Sequence, residues 1–193
     1  MHAILDARPI IVALAGPNGA GKTTFYHAHL ESSGLRFINA DNIAAEMEID
    51  AYVAAAVANA VRLALFRQRE SFVFETVFSD PVGDKLKFLK DAAASRYAVV
   101  LCYIGIADVT TSQERVAMRV SQGGHDVPSE KLASRFQRSL ANLKAALKQL
   151  PLVLVYDNSD MSAPFRKVAE YQQGKASFLA PHLPEWLAQL LGR

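Results

Sequence analysis

Residues 10–24 read IIVALAGPNGAGKTT, and they decide the fold of this protein. The apolar first part predicts a buried strand, and residues 16–24 match the pattern G-x-x-x-x-G-K-[ST] in full. Such a loop turns backbone N–H groups around phosphate oxygens, and a side chain at Gly16 or Gly21 would obstruct that path. The stretch therefore predicts a strand, a phosphate-binding loop and a helix, in that order.

The residue types in the loop predict ATP and Mg²⁺ as cofactors. Lys22 supplies a positive charge for the β- and γ-phosphates, and the hydroxyl of Thr23 suits Mg²⁺. The start of the following helix adds a dipole that favours anions. A glycine-rich turn without a ligand is the alternative, and the complete match in its strand-to-helix context favours nucleotide binding. The residues expected to bind ATP are Gly16, Pro17, Asn18, Gly19, Ala20, Gly21, Lys22, Thr23 and Thr24.

Further apolar runs alternate with helical patterns and predict an α/β protein. Their Val, Ile, Leu and Phe content suits parallel strands covered on both faces. The expected architecture is a P-loop NTPase-like three-layer sandwich, a five-stranded parallel sheet with helices on both faces, in one domain over residues 1–193. The predicted strands are Ile10–Ala15, Arg36–Asn39, Phe72–Glu75, Ala98–Gly105 and Leu152–Asp157. The predicted helices include Ala51–Arg69, Ser129–Leu150 and Pro184–Leu191. In the first of them Val53, Val57 and Val61 should pack on the sheet, and the alternative is that they line a substrate site.

Composition excludes several classes of protein. The chain has 193 residues and a formal net charge of +2, which argues against a nucleic-acid partner. A lone Cys102 excludes an intramolecular disulfide framework and a zinc cluster of several thiolates. No apolar stretch approaches the roughly 18 to 20 residues that cross a bilayer, so we expect no membrane partner. Cytoplasmic residence fits these features.

Polar side chains end two of the predicted strands and should meet at one edge of the sheet. Asp41 follows the second strand, and it could take a proton from an acceptor hydroxyl or cap the helix that begins beside it. Spacing alone leaves both readings open. Glu75 and Thr76 end the third strand and, together with Asn39, are candidates for substrate binding. Glu75 could instead hold a water on Mg²⁺, or it could simply pair with an arginine.

Basic residues flank the segment SQGGHDVP at residues 121–128. Helical spacing places them on single faces on either side of paired glycines and a proline. We therefore predict a mobile lid over about residues 115–138 that carries arginines to the transferred phosphoryl group on closing. A solvated charged face is the alternative. The residues are Arg115, expected at ATP, together with Arg119, Lys131, Arg135 and Arg138.

The last predicted strand ends in Asp157, followed by Asn158 and Ser159. It is similar to a Walker B strand, but its place in chain order favours a pocket for the purine base, with Tyr156 or Phe165 nearby. An ABC ATPase is excluded because the order L-S-G-G-Q does not occur and because Asn158, rather than a glutamate, follows the aspartate.

Four segments, GPNGAGKTT, INADNIA, FETVFS and RVAMRVSQGGHDVPSEKLASRFQRSLANL, together resemble the zeta-toxin-like family of P-loop kinases, which includes members labelled predicted ABC-type ATPases. The resemblance extends from about Pro9 to Asp157. It implies a kinase whose catalytic residues are Lys22, Asp41 as the base, and lid arginines among Arg119, Arg135 and Arg138. Characterised zeta toxins phosphorylate the amino sugar of UDP-N-acetylglucosamine and are held inactive by a small antitoxin protein.

The residues and the resemblance together predict an ATP-dependent kinase. Its acceptor would be a small molecule with a hydroxyl group, such as a UDP-N-acetyl amino sugar, and its protein partner would be an antitoxin. One alternative is a nucleotide-gated interaction protein with slow hydrolysis. Another is a kinase of nucleic-acid ends, for which the basic residues would be the footprint.

Overall fold

A seven-stranded mixed sheet runs through the protein, in the order β2-β3-β1-β4-β5-β6-β7. The computed structural model describes residues 6–121 and 128–193. The strands are β1 (Ile10–Ala15), β2 (Arg36–Ile38), β3 (Phe72–Thr76), β4 (Ala98–Gly105), β5 (Leu152–Asp157), β6 (Arg166–Gln172) and β7 (Lys175–Leu179). Strands β1 to β5 pair in parallel, so the five predicted strands and their parallel pairing are confirmed.

The prediction of a sheet with only five strands is wrong, because β6 and β7 extend it. Strand β6 pairs antiparallel with β5, and β7 pairs antiparallel with β6. The two new strands form a hairpin whose turn residues, Gln173 and Gly174, have φ angles of 50° and 77°. Four of the five residues of β7 are exposed. An edge strand of this kind carries no continuous apolar run, so the apolar pattern of the sequence did not predict it.

Helices cover both faces of the sheet. Helix α1 (Lys22–Phe25) continues as a π-helical turn over Tyr26–Leu30 and a 3-10 turn over Glu31–Ser33. The others are α2 (Ala40–Met47), α3 (Ala51–Arg67), α4 (Asp84–Ala94), α5 (Val109–Ser121), α6 (Ser129–Gln149) and α7 (Glu185–Leu191). Among the described residues no single helix is long and apolar enough to span a membrane; only α2 and α3 taken together, bent by 116°, meet the length and composition required.

The valine stripe of α3 does not pack as predicted. Val53 is 52% exposed and Val61 is 39% exposed, whereas Ala54 and Leu65 are buried. The buried face is therefore rotated by one residue from the valines. An alanine-rich helix has little difference in bulk between its faces, so spacing did not identify the inner face correctly.

The core lies on both sides of β1, all of whose residues are buried. Ile11, Ala13 and Ala15 face one apolar cluster, and the alternate residues of β1 face a second one. Because parallel neighbours flank β1 on both sides, the carboxyl ends of β3, β1, β4 and β5 meet at one edge of the sheet. That edge carries the candidate functional site.

Candidate functional site

Hydrogen bonds from side chains to the backbone carbonyl groups of the loop between β1 and α1 hold the loop in place. The carbonyls of residues 17–20 each accept a hydrogen bond from a side chain. The bonds run from Lys22 Nζ to Pro17 (3.0 Å), Ser112 Oγ to Asn18 (2.8 Å), Arg115 Nη1 to Gly19 (3.5 Å) and Asn158 Nδ2 to Ala20 (2.9 Å). In a trans peptide the N–H points opposite to the C=O. The amides of Gly19 and Gly21 therefore point away from α5 and Asn158, as a phosphate-binding loop requires.

Two loop glycines are required by their neighbours. Gly16 has φ +147°, and a Cβ there would lie 2.2 Å from the carbonyl oxygen of Ile104 in β4. Gly21 has φ +82°, and a Cβ there would lie 2.8 Å from Asn158 Nδ2. The glycines therefore let the loop approach β4 and the segment after β5. This cause adds to the predicted one, which was the path of the anion itself.

Lys22 is 6% exposed and lies at the centre of the site. Its Nζ is 3.7 Å from Glu75 Oε1 as well as being bonded to the loop. Burial lowers the pKa of Lys22, the nearby charges of Glu75 and Asp41 oppose that shift, and Arg119 adds to it. The buried ammonium group therefore has incomplete compensation, which an anion placed beside it would supply.

Glu75 joins three elements at the end of β3. Its Oε2 accepts hydrogen bonds from Thr23 Oγ1 at 2.8 Å and from Asn39 Nδ2 at 2.8 Å. A hydroxyl and a carboxylate are the hard oxygen ligands that Mg²⁺ takes beside phosphates and water. Thr23 and Glu75 therefore fit Mg²⁺ in the donor atoms that they offer. The described residues contain no group of three or more His, Cys, Asp or Glu side chains that could hold a metal by themselves.

Asn39 caps α2, so the capping interpretation of Asp41 is wrong. Asn39 Oδ1 accepts from the backbone N–H of Asp41 at 2.7 Å and of Asn42 at 3.2 Å. The carboxylate of Asp41, 64% exposed, instead lies 3.4 Å from Arg119 Nη1. Asn39 uses both ends of its amide within the protein, and it is 4% exposed. It therefore links the start of α2 to Glu75, and its predicted contact with substrate stays a prediction.

Thr76, the other residue expected at the substrate, is used locally. Its Oγ1 accepts from the backbone N–H of Phe78 at 3.0 Å. Phe78 has φ +58°, an uncommon conformation for a bulky residue. The hydroxyl thus supports the turn that follows β3.

The predicted lid arginines lie in different surroundings. Arg115 donates to the carbonyls of Asn158 at 2.8 Å and Ser159 at 3.1 Å, which ties α5 to the segment after β5.

The other lid arginines have different partners. Arg119 contacts Asp41, whereas Arg138 Nε donates to the carbonyl of Ser79 at 2.8 Å. Arg135 is half-buried on α6. Residues 122–127, the middle of the predicted hinge at residues 121–128, lie outside the described residues. Arg115 and Arg119 therefore lie beside the loop, and Arg138 lies against the turn after β3.

Asp157 at the end of β5 is buried and already partnered. Its Oδ1 accepts from Trp186 Nε1 at 2.9 Å and from Ser159 Oγ at 2.6 Å, and Arg166 Nη2 is 3.5 Å from Oδ2. The carboxylate therefore anchors α7 and β6.

Aromatic residues lie beside Gly21, and the pocket for the base expected near Tyr156 or Phe165 stays a prediction. A Cβ on Gly21 would lie 3.5 Å from the ring of Phe165. The ring of Phe165 is 5.3 Å from that of Phe25, which in turn is 4.9 Å from that of Tyr156.

Two residues that hold the loop were not predicted to do so. No local motif marks Ser112, and Asn158 stood out in the sequence only because it follows Asp157 at the end of the last strand.

Comparison with known proteins gives a family and a fold. The model of the family AAA_33, AAA domain, matches residues 11–146. No curated protein sequence matches the chain significantly.

Several solved structures share the fold at low identity. A chain of the AvrRxo1-ORF1:-ORF2 complex with ATP is 17% identical with a TM-score of 0.67 over 89% of this chain and 61% of that one. A chain of the PezAT toxin-antitoxin system of Streptococcus pneumoniae is 16% identical, with a TM-score of 0.57 over 84% of this chain and 72% of that one. A putative kinase from Chloroflexus aurantiacus is 19% identical, with a TM-score of 0.54 over 79% of this chain and 90% of that one.

These likenesses show a P-loop kinase-like α/β fold, here with a mixed sheet of seven strands. This chain spans 61% of the length of the AvrRxo1 chain that it matches.

Proposed function

The chain belongs to the AAA_33 family of AAA domains, and on that premise we propose that it is an ATP-dependent kinase that transfers the γ-phosphate of ATP to a hydroxyl group of a small molecule. One observation carries the proposal. The carboxylate of Asp41 is not used as a helix cap and lies close enough to Lys22 to affect its pKa. A carboxylate beside the phosphate site is suited to orient an acceptor hydroxyl, whereas simple nucleotide binding has no need of it.

The residues of the loop would bind and orient the phosphates. Backbone amides of residues 16–24 and the ammonium group of Lys22 would surround the β- and γ-phosphates, with Arg115 maintaining the loop from outside. Thr23 and Glu75 would hold Mg²⁺, which when bound neutralises phosphate charge. The negative charge of the bound phosphates would also offset the solvation that the ammonium group of Lys22 loses on burial.

Asp41 would accept the proton of the acceptor hydroxyl as its oxygen attacks the γ-phosphorus. The new P–O bond forms as the bond to the β,γ-bridging oxygen breaks, and ADP leaves with the electron pair of that bond. Arg119 lies beside Asp41 at 3.4 Å and would move to the transferred phosphoryl oxygens when the acceptor takes its place. Arg135 and Arg138 are the other proposed catalytic arginines, and Arg138 would first leave Ser79.

We extend the proposal to a single kinase domain over residues 1–193 with a lid over about residues 115–138. Two contacts between helices support a lid that closes over the acceptor. Arg119 of α5 meets Asp41 of α2, and Lys131 Nζ of α6 lies 3.2 Å from the hydroxyl of Tyr52 in α3. The acceptor would enter between these helix pairs.

The acceptor class and the partner are proposed from resemblance. The motifs that resemble zeta toxins favour a UDP-N-acetyl amino sugar as the acceptor. The same motifs, together with a fold shared with a chain of the PezAT toxin-antitoxin system, support an antitoxin protein as the partner.

The proposal is tested by product analysis with matched variants. The protein is incubated with ATP, Mg²⁺ and a panel of nucleotide sugars, nucleosides and small alcohols, and mass spectrometry detects an acceptor heavier by one phosphoryl group. Asp41→Asn should lower transfer by at least about 100-fold, the usual contribution of a general base, with ATP binding retained. Glu46→Gln removes an exposed carboxylate from the same helix and should leave transfer unchanged. Full transfer by Asp41→Asn, or modification of no acceptor, would overturn the proposal.

A further inference from the structure

A cavity lies at the opposite edge of the sheet from the phosphate-binding loop. It has a volume of about 560 Å³, and its lining includes Arg8, Ser33, Arg36, Arg69, Glu70 and Ser71. Arg36 begins β2, and Ser71 directly precedes β3. Strand β1, at about 3.3 Å per residue, separates this edge from the loop by roughly 17 Å. The cavity is therefore distinct from the site described above.

Positive charge dominates this cavity, with three guanidinium groups against one carboxylate. Within residues 6–121 and 128–193, the guanidinium group of Arg36 forms no hydrogen bond and no ion pair, and Glu70 forms an ion pair with neither Arg36 nor Arg69. Like charges gathered on one concave surface raise the local potential and attract anions.

Arg69 is held in place by groups outside the cavity. Its Nη1 donates to the carbonyl of Ser95 at 2.8 Å, and its guanidinium lies 5.2 Å from the centre of the Tyr97 ring. These contacts leave further N–H groups of the planar guanidinium to donate. Ser71 Oγ accepts from the backbone N–H of Ile10 at 3.0 Å, so its own hydroxyl hydrogen can be donated. Fixed donors of this kind reduce the entropy cost of binding.

We propose that this cavity binds a small anion that carries a phosphate or diphosphate group, at a site separate from the phosphate-binding loop. The guanidinium forks of Arg36 and Arg69 match the geometry of phosphate oxygens, and Ser71 adds a hydroxyl donor. The volume is within the range of metabolite sites, and the lining is too polar for an apolar ligand. The proposal does not depend on kinase activity, because none of its residues takes part in the site at the loop.

Pyrophosphate is the probe. The parent protein of the experiment is the full chain with Lys22→Ala, because that substitution weakens the binding of pyrophosphate at the loop. Backbone amide NMR shifts locate the binding, and the amides of Gly34, Arg36 and Ser71 should shift with saturation. Arg36→Gln should weaken this binding about 10-fold, the loss expected for a charge-assisted hydrogen bond. Arg36→Lys keeps the charge but loses the fork, so its affinity should lie in between.

Arg193→Gln is the matched control because it removes an exposed arginine that does not line the cavity. Its affinity for pyrophosphate should equal that of the parent protein, and thermal melting verifies that every variant is folded. If Arg36→Gln melts at a lower temperature than the parent protein, the affinity of Arg69→Gln and the location of the amide shifts in the parent protein still test the proposal. Shifts confined to residues 16–24, or unchanged affinity in both arginine variants, would overturn the proposal.

Discussion

Asn39 offers the sharpest test of how the site is assembled. Its buried amide links the start of α2, which carries Asp41, to Glu75 and through it to Thr23. Asn39→Ser keeps a side-chain oxygen for the cap but loses the 2.8 Å bond to Glu75. Asn39→Ala loses both interactions, so the pair of variants separates the cap from the link.

The expected losses of stability follow from these contacts. A hydrogen bond to a charged group contributes about 1.5–3 kcal/mol, so Asn39→Ser should lower the free energy of unfolding by about 2 kcal/mol. Loss of the cap adds about 1 kcal/mol, so Asn39→Ala should lower it by about 3 kcal/mol. Phosphoryl transfer should fall about 10-fold in Asn39→Ser, because Asp41 loses its fixed distance from the phosphate site. ATP affinity should change little, because other side chains hold the loop.

Urea denaturation measures the free energies, and steady-state transfer measures kcat and KM. Asn42→Ser is the control, since it alters an exposed asparagine on the same helix. A fall in kcat with KM for ATP unchanged would support the link between α2 and the phosphate site. If Asn39→Ser unfolds at the same urea concentration as the parent and retains its kcat, the coupling through Glu75 is refuted.

Three further predictions follow from single contacts. Arg115→Gln should weaken ATP binding about 10-fold by calorimetry, because it removes the hydrogen bond from α5 to the carbonyl of Gly19 in the loop and the bonds that tie α5 to the carbonyls of Asn158 and Ser159. Lys144→Gln on the exposed side of α6 should bind ATP normally. In Gly105→Ala the new Cβ would lie 2.1 Å from the ring of Trp186, the one tryptophan, so the free energy of unfolding should fall by about 2 kcal/mol and the tryptophan fluorescence should shift. An unchanged fluorescence spectrum would contradict this. Burial lowers the pKa of Lys22 in the folded state, so just below pH 10.5 the unfolded chain binds more protons than the folded one. The free energy of unfolding of the parent, relative to that of Lys22→Met, should therefore rise as the pH approaches 10.5, and a difference that does not change with pH in urea denaturation would contradict this.

The sequence was most informative where local chemistry is decisive. The apolar runs located β1, β4 and β5 with the bounds that the structure has, because a parallel strand buried on both faces must be apolar along its length. The hairpin of β6 and β7 was missed because an exposed edge strand has no such requirement. The inner face of α3 was assigned to the wrong residues because alanines distinguish the faces of a helix weakly.

The loop motif by itself determined that a strand, a phosphate-binding turn and a helix follow one another, because glycines and a Lys-Thr pair at this spacing are needed for that backbone path. The tertiary structure decided the rest of the site. Asn39 is the cap and Asp41 is not, Glu75 joins Thr23 to Asn39, and Ser112 and Asn158 hold the loop from distant parts of the chain. The physical reason is distance along the chain. Several adjacent polar residues can each cap the same helix, so the sequence does not show which of them does. The bonds of Ser112 and Asn158 to the loop span 94 and 138 positions, and they form only after the sheet has brought the ends of its strands to one edge.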